Sequence, residues 1–423
     1  MSLRDELTRL NPWWRGKKIT NETIKRDIED DVISELSEDI VTAITGLRRS
    51  GKTTLAKRMI EYLLKEEDHN PKNVMYFSFD IEKVEINDLL QTYFQEIIRI
   101  PPEDADQTFI FLDEVQKIDD WSDHVKAYHD SYENIKFVIT GSSSANIRKG
   151  GGESLVGRVS IKDLTTLTFR EFLRYHGVDV PENKFGEFPI PVNDSEIKTK
   201  FLDYLESGGF PGLIFLDETT KIERLKDIVD LTLFRDVVEI FEIQRPELLQ
   251  GIFRSLSANS SSIVNYNKIS KNHDAQYKTV KKYIEELEQS FLIEISRRFE
   301  NNIFKEYRKR PKIYSSDHSF CIQENAEQGL IVETIAYNHI KTLGETGYWR
   351  KNKDEVDIVL KRNDAIYGAE VKYKNKIRKS DKKGLKNFQK EFPKSETYML
   401  TKSKLDRDGE IKMIPLWLFL LHI

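Results

Sequence analysis

Residues 46–53 read GLRRSGKT, and these residue types at this spacing suit the binding of phosphate groups. The glycines let the backbone curl so that its N–H groups point inward, and the helix that follows adds a favourable dipole. The Lys52 ammonium would neutralise phosphate charge, and the Thr53 hydroxyl is a typical ligand of Mg2+. The predicted nucleotide-binding residues are Gly46, Leu47, Arg48, Arg49, Ser50, Gly51, Lys52, Thr53 and Thr54.

A second set of polar residues ends the apolar run FIFLDE at residues 109–114. A continuous apolar run is typical of a buried parallel strand, and this one finishes in Asp113 and Glu114. We expect Asp113 to hold the Mg2+ water shell and Glu114 to polarise the attacking water. The alternatives are a chance match in a glycine loop and an ordinary acidic pair at a strand end. The order of strand, loop, helix and second buried strand favours the phosphate site.

Two hydroxyls and two arginines are candidates for further roles at this site. The strand FVITGSSS ends in Thr140 and Ser142, either of which could sense the γ-phosphate. Arg158 and Arg235 could stabilise the charge that develops on that phosphate, acting from a neighbouring subunit or as sensors. The alternative for each arginine is a local salt bridge, for Arg235 to Asp236. An arginine that acts in trans would require at least a dimer and more naturally a ring.

A third set of residues with chemical potential lies near the C terminus. Asp357 is followed by Glu370 and Lys372 on the next predicted strand, and Glu333 lies on a preceding helix. This order resembles that of PD-(D/E)xK nucleases, although Val356 stands where those proteins have proline. Such carboxylates would share one magnesium, with the lysine beside a metal-activated water. The bare pattern is weak and also arises by chance. A retained nuclease fold could also grip DNA without cutting it.

Basic residues in the last third of the chain are candidates for contact with DNA. The segments YNKISKNH and QYKTVKKYIEELEQS, followed by FLIEISRRF, predict a winged helix whose second segment enters the major groove. Without a cluster of base-reading residues, binding would follow DNA structure rather than sequence. RKRPK at residues 308–312 would extend the track of basic residues that contacts the DNA phosphates. Residues 371–390, with nine basic residues and one acidic, would extend it further. The alternatives are a winged helix used only for protein contact and a solvated basic face. The candidate DNA-contacting residues are Lys278, Lys281, Lys282, Arg297 and Arg298.

Composition limits the class of protein. A hydrophobic share of 39% and a charged share of 32% argue against disorder and membrane insertion. The net charge of −5 at first sight argues against nucleic acid, but the charge is unevenly distributed along the chain. The single cysteine, Cys321, excludes an intrachain disulfide and a cysteine-based metal cluster. The start of the sequence has no secretory signal pattern, so we expect a cytoplasmic protein without membrane contact. The apolar run at residues 413–423 is too short to span a bilayer and is interpreted as a core strand.

The order of the elements predicts an α/β protein with four parts. A parallel-sheet P-loop core of the AAA type covers residues 1–172, and a linker with a helical lid covers 173–245. A winged helix follows at 246–303. A small α/β domain resembling restriction endonucleases takes residues 304–423.

Seven motifs together resemble a family of archaeal and bacterial AAA-type ATPases with a DUF4143-like C-terminal region. They are GLRRSGKT, FLDEVQKIDDW, VITGSSS, SLVGR, TFREF, GGFPG and LFRD, and the resemblance covers nearly the whole chain. It implies a P-loop core with an additional strand, in which Thr140 or Ser142 acts as sensor 1. Thr166 stands where family members often have proline.

The resemblance and the motifs together lead to a functional expectation. ATP and Mg2+ are the expected cofactors, and the expected activity is ATP hydrolysis by a homo-oligomeric motor or remodelling protein on duplex or branched DNA. One alternative is a nucleotide-gated switch that binds a protein partner. Another is an ATP-licensed endonuclease in genome defence.

Overall fold

The structure, a computed structural model, describes residues 2–17, 19, 23–81, 84–142, 155, 157–183, 185–300 and 309–423. It divides into two units: Met1–Thr165 with Gln289–Phe291, and Thr166–Glu288 with Leu292–Ile423. Within the described ranges, every helix is too short or too polar to cross a membrane.

Short apolar runs of the first unit form a parallel sheet in the order β2-β3-β4-β1-β5. The four strands predicted from the sequence are present, and a fifth lies beside the first. One of the predicted strands, β4, lies between β1, the strand before the phosphate loop, and β3, the strand that carries Asp113, as the family resemblance implies. The strands are β1 (Val41–Thr45), β2 (Val74–Ser78), β3 (Thr108–Asp113), β4 (Ile135–Gly141) and β5 (Val159–Asp163).

Helices and a closely packed core surround this sheet. Every residue of β1, β2, β3 and β4 is buried, which is why these strands show continuous apolar runs instead of alternation. The helices are α1 (Leu3–Leu10), α2 (Glu29–Ser34), α3 (Lys52–Lys65), α4 (Ile86–Thr92) and α5 (Trp121–Ser131).

Helices make up the first part of the second unit. A π-helical segment, Leu231–Val237, joins two of them and contains Arg235. The helices are α6 (Phe169–Tyr175), α7 (Asp194–Ser207), α8 (Glu218–Asp230), α9 (Val238–Phe241), α10 (Pro246–Ala258), α11 (Tyr266–Asn272) and α12 (Tyr277–Gln289).

One mixed sheet runs through the rest of the second unit, in the order β13-β14-β12-β11-β10-β9-β7-β8-β6. The strands are β6 (Ser262–Ile263), β7 (Ile293–Arg298), β8 (Lys312–Ser315), β9 (Glu345–Lys351), β10 (Asp354–Arg362), β11 (Ala365–Lys372), β12 (Glu396–Thr401), β13 (Asp406–Asp408) and β14 (Ile411–Pro415). The accompanying helices are α13 (His318–Gln323), α14 (Gln328–Ile340), α15 (Lys383–Glu391) and α16 (Leu416–Leu421).

The predicted boundary at residue 303 falls within this sheet. Strand β7 pairs in parallel with β9, so the strand that follows α12 is continuous with the C-terminal strands. The division of the chain into four parts stays a prediction.

The interpretation of residues 413–423 as one core strand was wrong for its second half. Strand β14 ends at Pro415, which lacks an N–H for the ladder, and helix α16 follows. All six residues of α16 are buried. A run that is apolar on every side has no periodicity to separate a strand from a helix.

Asp317 connects the segment before α6 and the GGFPG motif to the start of α13 within the second unit. Its buried carboxylate accepts hydrogen bonds from the Thr166 hydroxyl (2.6 Å), the Gly209 N–H (3.0 Å) and the Ser319 N–H (2.9 Å). A Cβ atom at Gly208, whose φ is +80°, would lie 2.5 Å from the Ser319 Cβ. The GGFPG motif is therefore required for close packing. The Thr166 hydroxyl is one of the three donors, and a proline at this position would lack it.

Candidate functional site

The phosphate loop lies between the end of β1 and the start of α3. Its two glycines have positive φ angles, 146° at Gly46 and 109° at Gly51. A Cβ atom at Gly46 would lie 2.2 Å from the carbonyl oxygen of Leu164, so only glycine fits there. The loop backbone thus adopts the curled form on which the predicted phosphate site depends.

Arg26, which the sequence analysis did not single out, braces this loop. The buried guanidinium donates to the Ser50 carbonyl (2.9 Å) and to the Thr165 carbonyl (2.8 Å). Arg26 lies 24 residues before Ser50 and belongs to no motif, so the sequence carried no signal for this role.

The Lys52 side chain is buried inside the loop. Its ammonium donates to the carbonyls of Gly46 (3.0 Å) and Leu47 (3.2 Å) and lies 3.9 Å from Glu114 Oε1. The buried Ser50 hydroxyl has no hydrogen-bond partner among the described residues. A buried ammonium and an unpaired hydroxyl in one curled loop fit a phosphate group.

Thr53 and Asp113 meet at the start of α3 and the end of β3. The Thr53 hydroxyl lies 3.0 Å from Asp113 Oδ2, and Thr140 and Tyr76 also donate to this carboxylate, at 2.5 and 2.8 Å. Burial, and then the charge of Asp113, raise the pKa of Tyr76, so Tyr76 stays a protonated donor. Thr53 and Asp113 are the residues that would hold Mg2+, and the ion would supply neutralising charge to a bound nucleotide.

Glu114 follows Asp113 in a left-handed backbone conformation, with φ at 59°. The Thr140 hydroxyl fixes its N–H at 3.1 Å. The side-chain oxygen Oε2 accepts from Gln116 Nε2 (2.5 Å) and Ser142 Oγ (3.2 Å). Gln116 is a second contact that the sequence analysis missed, because glutamine two residues after an acid is not a motif.

The two sensor candidates thus have different contacts. Thr140 binds the Asp113 carboxylate and the Glu114 backbone, whereas Ser142 binds the Glu114 side chain. Thr140 orients the acidic pair, and Ser142 lies at the carboxylate that would polarise water. The sensing role of either hydroxyl stays a prediction.

The two candidate arginines are not assembled with these groups. Arg158 precedes β5, and its carbonyl accepts from the Val41 N–H at the start of β1. The phosphate loop follows the far end of β1, about 16 Å away at 3.3 Å per residue. The Arg158 side chain pairs with Asp130 at 2.6 Å, so it does not serve the phosphate site of its own chain. Arg235 is exposed in the second unit, and its role stays a prediction.

The C-terminal residues predicted to act together do meet. Glu333 comes from α14, Asp357 from β10, and Glu370 and Lys372 from β11. The Lys372 ammonium lies 2.6 Å from Glu370 Oε1 and 3.7 Å from Asp357 Oδ2. We call the acidic side chains gathered here the carboxylate cluster: Glu333, Glu355, Asp357 and Glu370.

A second lysine occupies the carboxylate cluster. Lys312 on β8 is 3% exposed, and its ammonium lies 3.0 Å from Glu333, 2.8 Å from Glu355 and 3.1 Å from Asp357. The prediction that Lys312 extends a DNA track was therefore wrong, because the side chain points into the protein. Arg308, at the start of that track, lies outside the described residues.

The cluster as built does not fit a magnesium site. Among the described residues, no group of three or more His, Cys, Asp or Glu side chains has an arrangement that could hold a metal ion. The predicted ligands Glu333, Asp357 and Glu370 are near one another, but the Lys312 ammonium is bound to two of them.

Burial and charge set the protonation of the cluster. Burial and the neighbouring Asp357 charge raise the pKa of Glu370 to about 8 and that of Glu333 to about 7. Burial would also raise the pKa of Asp357, but the charges of Lys312 and Lys372 outweigh it and hold that pKa below its usual value. Asp357 is thus the anionic centre of the cluster.

The candidate DNA-contacting lysines lie on the exposed face of α12. Lys278, Lys281 and Lys282 are exposed, although Lys281 lies 3.6 Å from Glu285 and Lys282 lies 3.5 Å from Glu286. On β7, Arg297 and Arg298 are half-buried, and Arg298 pairs with Glu300 at 2.9 Å.

Acidic partners also moderate the basic run at residues 371–390. Lys374 pairs with Asp381, and two more lysines pair with acids from outside the run. These pairs are Lys382 with Asp408 at 2.8 Å and Lys383 with Asp354 at 3.0 Å. The local charge is therefore lower than the sequence count indicates.

Comparisons with known proteins match separate parts of the chain. The family model of an AAA domain matches residues 38–173, and two domains of unknown function, DUF8612 and DUF4143, match residues 198–326 and 328–419. An uncharacterized protein of Methanocaldococcus jannaschii is 27% identical over 80% of this chain and 75% of its own length. An uncharacterized protein of Haemophilus influenzae is 24% identical over 79% of this chain and 83% of its own length.

Solved structures give a more distant likeness. A Walker-type ATPase of Pyrococcus abyssi is 15% identical, with a TM-score of 0.41, over 74% of this chain and 99% of its own. The AAA match covers β1, the phosphate loop, β3 and β4 in one stretch. Together with the geometry of these elements, it identifies an AAA-type P-loop ATPase domain in the first unit.

Proposed function

We propose that the chain hydrolyses ATP in its first unit and uses this cycle to act on duplex or branched DNA through its second unit. The observation that carries the first half is the assembly of Lys52, Thr53, Asp113 and Glu114 at one edge of the sheet. The proposal that the second unit acts on DNA rests on the exposed lysines of α12 and on the order of the elements around them.

Each group at the phosphate loop has a separate role in the proposed hydrolysis. The Lys52 ammonium attracts the phosphates and neutralises their charge. The Asp113 and Thr53 side chains, which are joined by a hydrogen bond, would supply oxygen ligands to Mg2+. The Glu114 carboxylate, oriented by Gln116 and Ser142, would align the attacking water for in-line displacement.

The order of elements supports a winged helix as the DNA-contacting part. Helix α10, strand β6, helices α11 and α12, and strands β7 and β8 follow one another, and β8 pairs with both β6 and β7. In helix-turn-helix proteins the second helix of the pair enters the major groove. In this order that helix is α12, whose exposed lysines would neutralise phosphates without reading bases.

A set of charge changes on α12 tests DNA binding. In the triple variant K278A/K281A/K282A, loss of phosphate contacts should weaken DNA binding and lower the slope of log K against log salt by up to about 3. The matched control is K221A/R224A/K226A on α8, which removes the same charge, with Lys221 and Arg224 also paired to acids. Fluorescence anisotropy with duplex and four-way-junction DNA over a salt series measures both variants.

ATP turnover should report the same contact. We expect DNA to stimulate hydrolysis by the wild-type chain and by the α8 control, and to stimulate the α12 variant less. Equal salt slopes and equal stimulation in all three proteins would remove α12 from the proposed interface. Absence of any DNA effect would reject DNA as the substrate, while basal hydrolysis would still test the ATPase proposal separately.

A second candidate function is a nucleotide-gated switch that binds a protein. The helical part of the second unit exposes large apolar side chains: Phe215 at 67%, Ile222 at 60% and Phe234 at 39%. Large exposed apolar residues favour a protein contact more than a nucleic-acid contact. Slow hydrolysis that no DNA changes, together with assembly that depends on ATP in analytical ultracentrifugation, would favour this switch.

A further inference from the structure

We propose that Lys312 is the permanent cation of the carboxylate cluster and takes the position that a divalent metal would need. The second unit then works without metal chemistry at this cluster. The inference concerns ion binding alone and does not depend on whether the chain binds DNA.

The contacts of the Lys312 ammonium support this role. Three carboxylates, from Glu333 on α14 and from Glu355 and Asp357 on β10, lie within 3.1 Å of its nitrogen. The Tyr314 hydroxyl also donates to Glu333, at 3.0 Å. An ammonium has three N–H donors, so three carboxylates saturate it.

The backbone fixes Lys312 in place. Strand β8 lies between β6 and β7, and Lys312 is paired with Ile263 on one side and with Ser296 on the other. If β8 moved and withdrew the side chain, the hydrogen-bonded pairing of β8 with both β6 and β7 would be lost. The ammonium is therefore a built-in part of the cluster rather than an arm that leaves when a metal arrives.

Charge repulsion works against a metal beside this lysine. Mg2+ takes oxygen ligands in an octahedral shell and keeps several waters. An ion bound by Asp357 and Glu333 would lie close to the Lys312 ammonium, and two cations at such short range repel strongly in a buried site. Lys372, bound to Glu370, adds a second positive charge 3.7 Å from Oδ2 of Asp357.

The four carboxylates would nevertheless suit a metal if Lys312 lost its charge. One oxygen of Glu370 is buried and has no hydrogen-bond partner among the described residues. The three carboxylates now bound to Lys312, those of Glu333, Glu355 and Asp357, would lose this partner and could offer oxygen ligands. Oxygen-rich clusters of this kind bind Mg2+ and Mn2+.

The cluster combines two regions that family models treat separately. Lys312 lies in the part that matches DUF8612, whereas the four carboxylates lie in the part that matches DUF4143. The D…ExK residues of the C-terminal part therefore resemble a metal site when they are considered alone, because the Lys312 ammonium that neutralises them lies outside that part. With the Lys312 ammonium bound to Glu333, Glu355 and Asp357, these carboxylates are not available to a metal that would activate water, which disfavours an ATP-licensed endonuclease.

Manganese binding to the full chain tests the inference without nucleotide. All proteins carry D113N, which removes the carboxylate of the nucleotide site, and Mn2+ binding is measured by electron paramagnetic resonance. We expect D357N to leave the number of bound Mn2+ ions unchanged. We expect K312M to raise Mn2+ affinity at least about tenfold through one new site, and K312M/D357N to lose that site. K312R, which keeps the charge, is the control and should not gain it.

Two results would overturn the proposal. One is Mn2+ binding in the D113N background that D357N removes. The other is a folded K312M protein that gains no Mn2+ site. If K312M does not fold, the D357N comparison still decides, together with thermal unfolding of the D113N protein in EDTA. An unchanged unfolding temperature supports the fixed cation, and a marked fall contradicts it.

Discussion

Gln116 donates a hydrogen bond of 2.5 Å from its Nε2 to Oε2 of Glu114, the carboxylate beside the phosphate loop. Gln116 also donates to Ser142 at 3.0 Å, and Ser142 in turn donates to Glu114 at 3.2 Å. This triangle restrains an acidic side chain whose own backbone is in a left-handed conformation. The orientation of the carboxylate is thus set by two residues outside the DE pair.

The triangle predicts a difference between two variants. E114Q should bind ATP normally but lower kcat by about 10²–10⁴-fold, because the amide cannot polarise water. Q116L should lower kcat by about tenfold with unchanged ATP affinity, since the carboxylate stays but loses one restraint. Steady-state hydrolysis and equilibrium binding of a fluorescent nucleotide measure both effects. A faster Q116L enzyme would show that Gln116 restrains Glu114 in an inactive position.

Arg158 is predicted to act only between subunits, because it lies at the opposite end of β1 from its own phosphate loop. R158A and E114Q should each be nearly inactive, and an equimolar mixture should regain hydrolysis. In the mixture, an intact Glu114 of one subunit meets an intact Arg158 of another. Hydrolysis is followed after subunit exchange, with mixtures of each variant and wild type as controls. Activity of the mixture equal to the mean of the two variants would exclude a role in trans.

The contact between Gly208 and Ser319 predicts a large effect of one methyl group. G208A places a Cβ atom against Ser319 at a positive φ and should lower the free energy of unfolding by about 2–4 kcal/mol. G212A, in the same motif, is the matched control, because nothing lies within 4 Å of its added Cβ. Chemical denaturation of both variants measures the difference. Equal stability would contradict the packing role of the motif.

Glu288 on α12 predicts a pH dependence of stability. Burial, and then the nearby Glu294 and Glu285, raise its pKa to about 7, with Arg297 acting in the opposite direction. An acid whose pKa is raised by folding stabilises the folded state below its unfolded pKa, and this stabilisation is lost as the pH rises through about 7. Glu333 and Glu370 add a slope of the same sign.

Glutamine mimics the protonated form of Glu288, so E288Q should match wild type at pH 5 and exceed it by about 1–3 kcal/mol at pH 8. E247Q, at an exposed position of α10, is the control, because Glu247 is not one of the charges that act on Glu288. Urea denaturation at the two pH values provides the measurement. A constant difference between E288Q and wild type would contradict the raised pKa.

The sequence alone predicted which residues gather at the phosphate loop, because that chemistry depends on residues close together in the chain. Residues 46–53 and the acids that end β3 are each contiguous, and the apolar strands before them predict their position at one sheet edge. The strand order, with β4 between β1 and β3, also agrees with the family resemblance.

Tertiary structure decided the contacts between residues far apart in sequence. Arg26, which belongs to no motif, donates a hydrogen bond to the phosphate loop. Arg158 is a candidate catalytic arginine in the sequence, but the structure places it at the start of β1, whereas the phosphate loop follows the end of that strand. Lys312 appears in the sequence as part of a basic run, but the register of β8 points its side chain toward the carboxylate cluster. In an alternating strand, the face to which a side chain points depends on pairing, and pairing partners are not encoded locally.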